Sequence, residues 1–159
     1  MKADEYDALI KDPSNFWLRI YMPRVFGAFE PFRKLPPFTT IEEIVIMSFI
    51  PYGMPDVQAA FQALLEAGRE SIKWVQAVGE VSLEALQAGF PAIMGGFAKA
   101  PFDTLGDTLR GTQAIFTDMY RQPDKLQEAM TRIAALTLDS GVAAASASGA
   151  PSVMMPLHK

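Results

Sequence analysis

After Asp56 the residues Val57, Phe61, Leu64, Leu65, Gly68, Ile72 and Val75 fall at offsets of 0, 4, 7, 8, 11, 15 and 18. Only a helical repeat near 3.6 residues per turn gathers such a set onto one face. Glu66, Arg69, Glu70 and Lys73 occupy the other side, as they would on a long amphipathic helix. A break is expected near Gly79, then a second short helix through Leu83 and Leu86 that Gly89 closes.

Upstream, Asp12-Pro13-Ser14 reads as a helix start, with Asp12 able to cap and proline at the first helical position. Phe16, Trp17, Ile20 and Tyr21 recur at spacings of three and four, which favours a helix, until Pro23 breaks or re-aims the chain. Phe26, Phe29 and Phe32 form a further short turn that Leu35-Pro36-Pro37 ends. This aromatic density reads as core packing before it reads as a ligand box. Thr39 to Glu43 resembles a capping box. The following Ile44 to Met47 is helix or strand, which periodicity does not decide.

Downstream, the apolar run at 91–97 lies between Gly and Pro and reads as a buried strand whose glycines mark close backbone approach. Thr112 to Tyr120 is helical by spacing. A last helix presents Leu126, Met130, Ile133, Leu136 and Val142, and runs out in the small residues 143–149. A second strand follows at 151–156. Strands so far apart with helices between them make a parallel pair with a right-handed crossover.

Composition bounds the function. The chain has 159 residues, half of them hydrophobic and 20% charged, enough for a real core. It carries a net charge of −4 and no basic stretch, which argues against nucleic acid as a partner. Without cysteine there is no disulfide, thiolate zinc site or cysteine nucleophile. The single histidine, His158, is the penultimate residue. The longest apolar run spans 44–50, seven residues against the roughly 20 a bilayer requires. The N-terminus resembles neither a signal nor a transit peptide, so a cytoplasmic location with no membrane partner is expected.

From Gly95 onward the residues resemble a known family. Gly96-Phe97-Ala98-Lys99-Ala100-Pro101-Phe102-Asp103-Thr104-Leu105 is similar to the G-F-x-G-A-P-[FW]-T-L signature of uroporphyrinogen decarboxylases and their relatives. Gly111 and the run Met119-Tyr120-Arg121-Gln122-Pro123-Asp124 continue the likeness, and Met155-Pro156-Leu157-His158 resembles the approach to a later family segment. The likeness covers residues 95–159 well and residues 1–90 loosely. It implies an α/β fold: an incomplete (β/α)8 TIM-barrel fragment, mostly helical, with about two parallel strands near 91–97 and 151–156. Residues 1–89 would be a helical region preceding and packing on the barrel, and residues 90–159 a strand-helix-helix-strand part of it. A complete barrel takes about 250 residues, so the chain is expected to be an internal piece of a longer protein.

The resemblance also implies chemistry. Family members are lyases that remove carboxyl groups from a tetrapyrrole without a cofactor, using arginines for the substrate carboxylates and an aspartate for the cationic pyrrole. The family's N-terminal arginine motif has no counterpart here. Asp107 stands where the family has a substrate-contacting tyrosine, and the likeness puts Lys99 and His158 at the barrel mouth. Asp107 and His158 are therefore the catalytic candidates. Phe97, Lys99, Asp103 and Arg110 are the candidates for binding a small-molecule, tetrapyrrole-type substrate, and no metal ligand is expected. Asp103 also reads as a helix cap, and Asp107 with Arg110, three apart, as an exposed ion pair. The same superfamily holds zinc- and corrinoid-dependent methyltransferases, whose ligands would lie beyond Lys159. An alternative from another class is a non-catalytic helical interaction protein. Exposed barrel edges would favour self-association or a homodimer.

Overall fold

The computed structural model describes residues 1–37, 46–91 and 94–157. The capping box at Thr39 to Glu43 and the residues Ala92, Ile93 and His158 lie outside them. In chain order the helices are α1 (Tyr6–Lys11), α2 (Pro13–Phe16), α3 (Met22–Val25), α4 (Pro55–Gln87), α5 (Pro101–Asp103), α6 (Thr112–Arg121) and α7 (Pro123–Ser148). The strands are β1 (Gly96–Phe97) and β2 (Val153–Met154). The chain divides into two compact units, one of Lys11–Val81 and one of Met1–Ile10 with Ser82–Lys159.

In the unit Lys11–Val81, Asp12 caps α2 by accepting a hydrogen bond from the Asn15 amide at 3.0 Å. Pro23 does not stop the helix. A wider π turn, Trp17–Tyr21, precedes it, and the Met22 amide reaches back to the Trp17 carbonyl. That shift removes the clash a proline ring makes with the carbonyl four residues earlier. The three-residue spacing of Phe26, Phe29 and Phe32 matches the period of a 3-10 helix, and Gly27–Lys34 forms one. Phe29 and Phe32 are thereby buried with Met22, Leu35, Val57 and Ala60. The Phe32 ring stands 4.8 Å from that of Phe61 on α4.

α4 runs unbroken past Gly79, so the expected second helix is a continuation of the first. Glycine costs a helix only about 1 kcal/mol relative to alanine, which 33 residues of regular hydrogen bonding absorb. The end is set by Gly89 at φ +90°, with the Phe90 amide bonded to the Ala85 carbonyl and the Gly89 amide to that of Leu86. These paired bonds satisfy carbonyls a helix end otherwise leaves open.

In the other unit, β1 and β2 pair in parallel, Gly96 beside Val153 and Phe97 beside Met154. Both press on α7 through glycines. A Cβ on Gly96 would stand 2.2 Å from the Gly141 carbonyl oxygen, and one on Gly141 would stand 3.0 Å from the Ala98 Cβ. The buried face of α7 is accordingly Leu126, Ala129, Ile133, Gly141 and Ala145. Leu136 and Val142, expected on that face, are exposed.

The expected α/β barrel fragment is not what forms. Among the described residues the protein is about 80% helical with one sheet of two short strands. Apolar content made the two runs read as buried strand, yet among the described residues most of their large side chains stand open to water. Phe90 and Leu157 are each 73% exposed, and Met94, Phe97 and Met155 are exposed too. A run needs neighbouring strands on both sides to become a barrel wall, and among the described residues each run pairs only with the other, over Gly96–Phe97 and Val153–Met154.

Candidate functional site

The segment after β1 carries most of the residues singled out by the sequence. Ala98 is buried, and the next side chain, Lys99, extends to Asp107, Nζ to Oδ2 3.0 Å. The two side chains are 22% and 26% exposed, so the pair is only partly screened by water. Ala100 is extended and Pro101 opens α5 with φ already suited to a helix. Thr104 ties the turn down, its amide and Oγ1 both donating to the Ala100 carbonyl at 2.8 and 3.1 Å. From Thr104 to Arg110 the helix widens into a π turn, which carries Asp107 to Lys99. Gly111, at φ +89° and ψ 149°, then re-aims the chain into α6, a conformation open essentially to glycine alone.

Asp103 is 2% exposed and makes no capping hydrogen bond with its side chain, so the helix-cap reading does not hold. Phe97 is exposed at the end of β1. The ion pairs described join Asp107 to Lys99 and Arg110 to Asp118. Arg110 clasps Asp118, Nε to Oδ2 at 2.6 Å and Nη2 to Oδ1 at 3.0 Å, and its Nη1 donates to the Met1 carbonyl. The wider π turn rotates positions three apart away from one another, which undoes the adjacency they have on an α-helix.

Asp118 is the residue the sequence reading missed. It is 2% exposed and also accepts hydrogen bonds from the Tyr6 hydroxyl at 2.9 Å and the Gln122 amide at 3.0 Å. Burial opposes its charge, but the hydrogen bonds from Arg110, Gln122 and Tyr6 hold its carboxyl below the usual aspartate value. Burial, then the bond to Asp118, drives the Tyr6 phenol well above its ordinary range. Its own hydrogen bonds to Asp118 raise Arg110. A signal was present: Asp118 lies three after Ile115 and four before Gln122, on the buried side of α6. The cluster binds residues 1–10 to α6 and leaves Arg110 fully engaged, a structural role.

The site is thus a half-buried ammonium–carboxylate pair at the C-terminal end of a parallel strand, on a mostly helical scaffold. Comparison with models of known families, with curated proteins and with solved structures finds no match. Among the described residues no three His, Cys, Asp or Glu side chains converge as metal ligands, and no helix is long and apolar enough to cross a membrane.

Proposed function

We propose that this chain acts as part of a cofactor-independent carboxy-lyase for a tetrapyrrole-type polycarboxylate, with Lys99 receiving a substrate carboxylate. The observation that carries this reading is the Lys99–Asp107 pair, a cation held where water screens it incompletely. Lys99 sits within the segment that resembles the uroporphyrinogen decarboxylase signature, which supports a carboxylated substrate. In this reading Asp107 balances Lys99 when the site is empty, and a substrate carboxylate takes its place. Asp107 is also the brake, because its own charge repels the incoming anion.

Absorbance titration of the chain with a polycarboxylated porphyrin tests this. Saturable binding is expected, weakened at least five-fold by Lys99→Gln and strengthened by Asp107→Asn. Absence of saturable binding, or binding that Lys99→Gln leaves unchanged, overturns the reading. A second reading, the non-catalytic helical interaction protein, is favoured by one observation: the apolar face of α4 is exposed beyond Leu64.

A further inference from the structure

Among the described residues four cationic side chains are half-buried: Arg19, Lys99, Arg110 and Lys125. A charge drawn out of water is stabilised by an opposite one, and three of the four meet one. Lys99 meets Asp107, Arg110 meets Asp118 and Lys125 meets Asp7. Arg19 meets the neutral Asn15, its Nη1 donating to Oδ1 at 3.0 Å. The Arg19 Nε is buried and has no hydrogen-bond acceptor. Buried donors in native folds nearly always have an acceptor, so this guanidinium is built for one more contact than the chain supplies.

Local structure holds it ready. Asn15 is fixed in α2, where its backbone amide donates to the Asp12 cap. Arg19 follows four residues later, on the π turn Trp17–Tyr21 that Pro23 requires. With Nη1 tied back to Asn15, the edge formed by Nε and Nη2 is left over. Arg110 shows what that edge takes. Its Nε and Nη2 grip the two oxygens of the Asp118 carboxylate at 2.6 and 3.0 Å. Two parallel N–H donors at this spacing match two oxygens of one carboxylate or one phosphate.

We propose that Arg19 binds an oxyanion, the carboxylate or phosphate of a ligand, along its Nε and Nη2 edge. One oxygen meets Nη2. Water does not reach Nε, so the second oxygen completes the edge through a small turn of the Arg19 side chain, and the bond it makes there is little screened. Arg19 belongs to the unit Lys11–Val81 and Lys99 to the other, so the proposal does not rest on the reading of Lys99.

Side-chain Nε–H signals of the 15N-labelled full chain test it, because each arginine is read separately. The Arg19 signal is identified by its loss in Arg19→Lys, or in Arg19→Gln should the first variant not fold. Acetate and inorganic phosphate are then added separately to the unaltered chain at constant ionic strength. The Arg19 signal is expected to move downfield and saturate, while Arg110, whose edge holds Asp118, and the exposed Arg121 keep their positions. Saturation with acetate alone makes the ligand a carboxylate, and with phosphate alone a phosphate ester. Saturation with both supports an oxyanion of either kind. An Arg19 signal that moves with neither anion, or only in step with Arg121, overturns the proposal.

Discussion

Asp118 concentrates more interaction in one side chain than any other residue described. Removing its carboxylate strands the Arg110 guanidinium, whose side chain is 11% exposed, and an uncompensated buried charge is costly. Asp118→Ala is expected to lower the unfolding free energy in urea by about 3–5 kcal/mol. Tyr6→Phe, which deletes one hydrogen bond to a charged acceptor, should cost about 1.5–3 kcal/mol. The pH dependence follows from the two shifts. Asp118 is depressed, so its contribution is present above the ordinary value of 3.8 and is lost as pH falls through the lower folded value. Tyr6 is raised, so its contribution is full below 10.0 and is lost as pH rises towards its folded value. Tyr6→Phe should flatten the alkaline limb of stability against pH and keep the acid limb; an unchanged alkaline limb would remove Tyr6 as its source. At this scale residue choice was legible and pairing was not. Lys99, Asp107 and Arg110 stood out as charges in one segment, but their partners depend on a π turn that α-helical spacing does not anticipate.

Elements were legible where periodicity is long. The stripe from Val57 to Val75 marks α4, and Gly89 marks its end. Gly79 gave a false break because a glycine signals permission to leave the helix and never compels it. Short apolar runs carry less information, since a strand is defined by what pairs with it. The glycines of β1 were informative, because Gly96 does meet the backbone of α7. Gly96→Ala would drive a methyl against the Gly141 carbonyl oxygen at 2.2 Å, a contact relieved only by moving backbone. A loss of about 1–3 kcal/mol is expected from such overpacking, with faster amide exchange at Ala98, whose amide bonds the Met154 carbonyl. Exchange at Ala98 as slow as in the unaltered chain would mean that β1 does not rest on α7.

The barrel expectation failed at the scale of the whole chain, where a sequence of local resemblances says least about which layers close on one another. What forms instead, among the described residues, is two compact units whose buried residues are separate sets. One gathers Met22, Phe29, Phe32, Leu35, Val57 and Ala60, and the other unit buries Leu105, Ile115, Leu126 and Ala129. Cores that share no side chains open as separate cooperative units. Both tryptophans, Trp17 and Trp74, fall in the unit Lys11–Val81, whereas Asp118 falls in the other. Tryptophan emission therefore reports one unit, and far-UV circular dichroism reports both. In Asp118→Ala the dichroism is expected to lose part of its amplitude at a lower temperature, while the emission maximum shifts at the midpoint of the unaltered chain. Coincident shifts of both signals to the same lower temperature would show that the two cores unfold as one.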